Sequence, residues 1–330
     1  MPANLTPQYK EAELRFRQAT AHEEKLEALR EMMALLPKHK GTEKIQADLR
    51  KRLAKLEEEG EHAKRGGAAR FDPGHVRREG AGQWVLLGPP NAGKSALLHA
   101  LTHAHPEVAS YPFTTRIPLP GMMPFEDVQV QLVDTPAVAP HHTEPYLANL
   151  ARNADGLLLV LDVTADDVEA SVAGLMAVLE KAHVWPAASP LPPDASPLLA
   201  SRPVIVVGSK CDLDPDGTFA GLTREAVGAH LPFHAISAEH GAGLEDLRRA
   251  LFDGLDRIRI YAKEPGKKPD MDRPFVLKRG ATVQDLATAV HRELAQAIKY
   301  ARIWGAARFD GQQVDREHVL SDRDVVELHA

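Results

Sequence analysis

The sequence carries a single cysteine, Cys211, in 330 residues, so no intrachain disulfide can form and a reducing compartment is expected. It has no apolar run approaching the roughly 20 residues that a helix needs to cross a bilayer. Its opening stretch, MPANLTPQYKEAELRFRQ, lacks the apolar core of a signal peptide. A cytoplasmic location without membrane attachment follows as the expectation. Positive charge is also not in excess: 40 Lys and Arg stand against 46 Asp and Glu, a formal net charge of -6. That balance argues against coating nucleic acid by bulk attraction, and no DNA partner is expected. What is present is ordinary globular material, 44% hydrophobic and 26% charged, long enough for two or three domains.

Residues 1–64 read as a helical hairpin arm. Thr6 followed by Pro7 is a helix start signal, and Leu26, Leu29, Met33 and Leu36 recur at helical spacing until PKHKGT interrupts them. Ile45, Leu49, Leu53 and Leu56 then form a second stripe. A glycine-rich connector spans 65–82. From 83 to 262 the texture changes to short apolar runs, QWVLL, VQVQLVD, GLLLVLDV and RPVIVVGS, separated by helical patterns. Buried runs alternating with helices are what a doubly wound α/β sheet covered on both faces requires. Within it, WPAASPLPPDASPLLASRP is expected to be an exposed loop. Residues 270–330 read as a small α+β module, with Thr282 and Asp285 placed as a capping box.

The chemistry begins at GPPNAGKS, Gly88 to Ser95, which fits G-x-x-x-x-G-K-[ST] directly after a strand and before a helix. In that context the backbone from Gly88 through Asn91, Ala92, Gly93, Lys94, Ser95 and Ala96 cradles phosphate. Lys94 spans the β- and γ-phosphates, and the Ser95 hydroxyl ligates Mg²⁺. Downstream, VVGSKCDL puts Lys210 and Asp212 after a buried strand, at the carboxyl edge where α/β sheets bind ligands. The Asp212 carboxylate can accept from guanine N1 and N2, which adenine cannot offer, while the Lys210 stem covers the base. Ser237 and Ala238, in HAISAEHGAGL, are expected to donate backbone amides to guanine O6. An ATPase is the weaker alternative, and Asp212 argues against it.

The motifs GPPNAGKSALL, YPFTTRIPLPG, VDTP, SKCD and ISA together resemble the nucleotide motifs of the Obg-related GTPases. KGTEKIQADLRKRLAKLEEE and VQDLATAVHRELAQAIKYARIWG are similar to the developmentally regulated GTP-binding protein branch. The C-terminal module then resembles that branch's TGS domain, a β-grasp fold. The resemblance implies that Thr115, in preference to Thr114, is the switch threonine on Mg²⁺, that Asp134 holds Mg²⁺ through water, and that Asn91 helps coordinate a stimulating K⁺. Lys94, Thr115 and Asn91 are thereby the implied catalytic residues. It further implies work linked to the ribosome, RNA or a translation protein, with the helical arm and TGS-like module as docking parts.

The sequence departs from the pattern at two places. Ala137 stands where the sensor Asp134-Thr135-Pro136 is normally followed by glycine; its amide can still meet the γ-phosphate, but the Cβ narrows the switch's conformations, so slow hydrolysis or weak switching is expected. Ser209 replaces an asparagine that ties the base loop to the phosphate loop, so modest guanine affinity is expected. Two readings therefore stay open, a Mg²⁺-dependent GTPase and a nucleotide-stabilised binding module with little or no turnover. His99, His103 and His105 have metal-like spacing but no acidic or cysteine neighbour; His141 and His142 read as exposed switch residues. Trp304 reads as a core aromatic of the small module.

Overall fold

The computed structural model describes residues 15–16, 22–36, 49, 75–102, 117–139, 143–192, 194–305 and 309–330. The chain separates into two compact units, Met1–Asp72 and Pro73–Ala330. In the first, helix α1 (His22–Leu35) buries Leu29 and Met32 in a cluster with Leu36, just past its end, and Leu49. Met32, rather than the expected Met33, faces that cluster. Apart from Leu49, the expected second helix lies outside the described residues, as does most of the connector.

In the second unit, β1 (Gln83–Leu87), β2 (Leu119–Phe125), β3 (Val128–Asp134), β4 (Gly156–Asp162), β7 (Val204–Ser209) and β8 (Phe233–Ala235) form one sheet in the order β2-β3-β1-β4-β7-β8. All pairs are parallel except β2 with β3, so the sheet is mixed at one edge. A two-residue turn, Glu126–Asp127, joins β2 to β3, which short connection only an antiparallel pair permits. Successive residues face opposite sides: Trp84 and Leu86 enter one core with α2 (Lys94–Thr102) and α6 (Leu244–Gly254). Val85 and Leu87 enter the other with α3 (Tyr146–Asn153) and α4 (Val168–Lys181). Burial on both faces explains the unbroken apolar runs. Trp84 is fully buried, and its indole N–H donates to the Leu251 carbonyl at 2.9 Å. The proline-rich stretch is not merely a loop: β5 (Val184–Pro186) and β6 (Ala200–Arg202) pair in parallel at its ends. Helix α5 (Thr218–Val227) follows β7.

The second sheet, in the order β10-β9-β13-β11-β12, contains β9 (Arg257–Lys263), β10 (Phe275–Lys278), β11 (Tyr300–Trp304), β12 (Gln312–Val314) and β13 (Asp324–His329). Strand β9 lies between β10 and β13, so residues 257–262, expected with the nucleotide domain, pair within the C-terminal sheet. One face packs Ile258, Ile260, Ile303 and Val326 against α7 (Val283–Val290), above which sits α8 (Arg292–Ala297). The α7 start is a closed capping box: Thr282 accepts from the Asp285 amide, and Asp285 accepts from the Thr282 amide at 2.8 Å. Trp304 is not in this core. It lies on the other face, half-buried, with the Lys263 ammonium 4.4 Å above its ring.

That second face meets the nucleotide domain through charge. Arg259, only 4% exposed, donates to Asp322 through Nε at 3.1 Å and Nη2 at 2.7 Å, and through Nη1 to Asp127 at 2.9 Å and to Glu126. Its guanidinium also stands 4.9 Å over Phe252, which stacks on Phe125. Tyr261 donates to Asp127, and Arg323 to Glu126. The β2–β3 turn is thus held by the C-terminal sheet.

Candidate functional site: a phosphate cradle beside a base pocket

The cradle forms where β1 ends and α2 begins. A Cβ at Gly88 would lie 2.4 Å from the Val160 carbonyl, so β4 demands glycine there. Gly93 has φ +87, a conformation that disfavours any side chain. Asn91 also has φ 61 and is exposed; asparagine is among the few residues that accept this region. The loop backbone is therefore bent as an anion cradle requires, and α2 starts with the Leu97 amide bonded to Gly93 at 2.9 Å.

Lys94 is 7% exposed, and its Nζ donates to the Gly88 and Pro89 carbonyls, each at 3.0 Å. Burial lowers its pKa, an effect that nearby Asp134 opposes. Such a buried ammonium, bonded only to neutral carbonyls, strongly favours an incoming anion. Ser95 Oγ donates to Asp134 Oδ2 at 2.5 Å, while Asp134 Oδ1 is buried and accepts no hydrogen bond among the described residues. An orphaned carboxylate oxygen next to a serine hydroxyl, beside a phosphate cradle, is an oxygen donor set of the kind Mg²⁺ takes. Ser95 and Asp134 fit that ion.

The segment after β3 is pinned from below. Thr135 Oγ1 donates to the Leu86 carbonyl at 2.5 Å, and the Val138 amide to the Gly88 carbonyl at 3.0 Å. Ala137 is not among the described non-glycine residues with positive φ, so in this conformation its Cβ introduces no backbone strain. Thr114, Thr115, His103, His105, His141 and His142 lie outside the described residues; His99 is exposed.

The base pocket corrects two expectations. Ser209 does tie the two loops: its Oγ lies 2.7 Å from the Ala92 carbonyl and 3.1 Å from that of Leu161, so the hydroxyl donates to the phosphate loop where an amide was expected to be missing. Ser209 is 2% exposed, which makes that bond part of the core rather than of the surface. Ser237's amide donates to the Ala242 carbonyl at 3.0 Å and is not free for a base. Its hydroxyl instead hydrogen-bonds Asp212, which holds that carboxyl below its ordinary pKa, and accepts from the His240 amide at 3.1 Å. Among the described residues Ala238's amide has no backbone partner and remains as the donor. Lys210, at φ 60, carries its ammonium to Asp162 Oδ2 at 2.6 Å. Asp162 Oδ1 in turn accepts from the Thr164 amide and hydroxyl. Burial pushes the Asp162 pKa up, yet the bonds from Lys210 and Thr164 outweigh it and the carboxyl stays ionised below its usual range.

Asp162 and Thr135 were not singled out from sequence. The signal for Asp162 was available: a carboxylate closing an otherwise apolar run at the carboxyl end of β4 must serve something at that edge.

Residues 83–187 match the family described as 50S ribosome-binding GTPase, and residues 258–330 the TGS domain. A GTP-binding protein of Methanocaldococcus jannaschii is 26% identical, covering 93% of this chain and 92% of its own. Developmentally-regulated G-protein 2 of Arabidopsis thaliana is 27% identical, covering 92% and 90%. Among solved structures, a GTP binding protein from Pyrococcus horikoshii OT3 has a TM-score of 0.48 at 18% identity, covering 75% of this chain and 99% of that one. The chain is a GTP-binding protein that joins a P-loop GTPase domain to a TGS domain, a relative of the developmentally regulated GTP-binding proteins over some nine-tenths of its length.

Proposed function

We propose that the protein hydrolyses GTP to GDP and phosphate, slowly, and that K⁺ stimulates it. The observation that carries this reading is the pairing of Lys94's buried ammonium with the Ser95–Asp134 contact and its orphaned Oδ1. Ser95 and Asp134 are the residues that would hold Mg²⁺, which when bound offsets negative charge on the phosphates. Lys94 leaves its two carbonyl partners to meet the β- and γ-phosphates. The amides from Asn91 to Ala96 orient the phosphate chain, and Thr115 closes the site. Asp212 and the Ala238 amide read guanine, with the Lys210 stem over the base and Asp162 fixing its ammonium. Asn91, exposed on the rim of the cradle, is the K⁺ ligand.

Hydrolysis is slow because Ala137 restricts the switch when it must move toward a γ-phosphate. Backbone strain does not contribute, since Ala137 has no positive φ to relieve. The helical arm and the TGS domain dock a ribosomal, RNA or translation-linked partner in the cytoplasm. GTP turnover by the purified chain in Mg²⁺, with K⁺ against Na⁺, tests the reading: turnover that rises in K⁺ and falls in Asn91→Ala supports it. Tight guanine binding with no turnover in either salt replaces it with a nucleotide-stabilised binding module, a reading that Ala137 favours. Ala137→Gly should then raise turnover if the wild type is a damped enzyme.

A further inference from the structure

A cleft of about 380 Å³ opens where the two sheets meet, far in sequence from the phosphate loop and lined by residues of both domains. Its walls carry Arg249, Arg257, Arg259, Arg279 and Arg323 against Glu126, Asp253 and Asp322. Arg259 is saturated by Asp322, Asp127 and Glu126, and the exposed Arg323 adds one contact, through Nη2, to Glu126. They fix the walls and contribute little net charge.

The other three are not so matched. Arg249, exposed on α6, makes no hydrogen bond or ion pair among the described residues. The Arg257 Nε is buried without an acceptor, and its Nη2 lies 3.7 Å from Asp155, beyond hydrogen-bond reach. Arg279 uses only Nε, on Asp256 at 2.8 Å. Against these donors the cleft offers one further acid, the exposed Asp253. Guanidinium groups present forked N–H donors that match phosphate oxygens, and a buried donor without an acceptor is costly until one arrives. The volume falls at the small end of the range for ligand sites.

We propose that this interdomain cleft binds a small phosphorylated anion through Arg249, Arg257 and Arg279, as a second anion site separate from the nucleotide cradle. Asp253 opposes that binding by like charge. Because the cleft borders Glu126 in the β2–β3 turn and Asp322 and Arg323 of the C-terminal sheet, the anion bridges the two domains.

The probe is inorganic phosphate, followed by ³¹P line broadening on the full chain saturated with Mg²⁺ and a non-hydrolysable GTP analogue, so that the cradle is filled. Phosphate binding is expected, weakened about tenfold by Arg249→Ala or Arg279→Ala. Binding should fall further on raising NaCl from about 0.05 to 0.5 M. Asp253→Asn should tighten it several-fold, a gain that misfolding cannot mimic, and all three positions are exposed, so melting temperatures serve as the control. No binding to the saturated protein overturns the proposal. So does binding that ignores all three substitutions, or that is lost only in Lys94→Ala, which would put the phosphate in the nucleotide cradle. The result is independent of GTP turnover, because the cleft shares no residue with the cradle.

Discussion

The two sheets of this protein are built on opposite plans. Apart from the buried Gln83–Gln131 pair, the nucleotide-domain sheet is packed with apolar side chains on both faces and offers its strand ends to chemistry, at Asp134, Asp162 and Ser209 and at Gly88 just past β1. The C-terminal sheet is apolar on one face, and its other face carries Arg259, Tyr261, Lys263 and Trp304. In the first, a rigid hydrophobic slab aims loops whose backbone is bent as an anion cradle requires. In the second, side chains standing on the sheet make the contacts to a neighbouring domain, and one of them, Arg257, is inferred to meet an anion. Stability and ligand recognition should therefore separate in the first sheet and mix in the second.

The largest test of that separation is Trp84→Ala, which empties the centre of the first sheet and should cost about 3–5 kcal/mol in denaturant unfolding. Removing the Arg259 side chain should cost less, about 2–3 kcal/mol, because the three acids it leaves behind are each partly exposed and can be rehydrated. Its distinguishing sign would be a lower unfolding midpoint with nucleotide affinity nearly intact. Lys94→Ala should do the reverse, leaving unfolding little changed while weakening guanine nucleotide about 100-fold in calorimetric titration. A loss of fold in that variant would break the contrast, since it would make the cradle part of the core.

Smaller effects sharpen the comparison. Ser209→Ala deletes the hydroxyl linking the base loop to Ala92, and GDP affinity should fall about 3- to 10-fold. An unchanged affinity would mean that the link is made redundant by the Cys211 amide bond to Ile236. The smallest expected effect is in pH. Hydrogen bonds from Arg259, then Arg323, hold the Glu126 carboxyl below its ordinary value of 4.5. For Asp322, burial pushes upward, but the bonds from Arg259 win and the carboxyl again lies low. Carboxyls depressed on folding stabilise above their ordinary pKa and lose that contribution as pH falls through the folded value. The stability gap between wild type and Arg259→Ala should hold from pH 7 to about 5 and narrow below about 4. A gap that widens on acidification would show that the ion pairs are not what docks the sheet.

Much of the cradle was legible because a phosphate loop is a local object: Gly88, Gly93, Lys94 and Ser95 lie within eight positions, and neighbouring strand and helix fix their geometry. The base pocket was legible only in part. Lys210 and Asp212 announce themselves by spacing, but whether Ser237 offers its amide or its hydroxyl depends on the turn back to Ala242. The tie made by Ser209 is invisible in sequence for the same reason, as its partner Ala92 lies 117 residues away. The start of the C-terminal domain was placed too late because β9 is an apolar-alternating strand like any other; only its pairing with β10 and β13 assigns it.

By itself the sequence determined the alternating apolar runs, hence a sheet covered on both faces, and the short-range motifs whose backbone conformation their own residues dictate. Tertiary structure decided everything that depends on partners distant along the chain: the antiparallel edge strand, the grip of Arg259 on the Glu126–Asp127 turn, Asp162 beneath Lys210, and the polar face of the second sheet that carries Trp304. The physical reason is range. Steric preference and capping act within a few residues, whereas ion pairing and burial act between surfaces that only folding brings together.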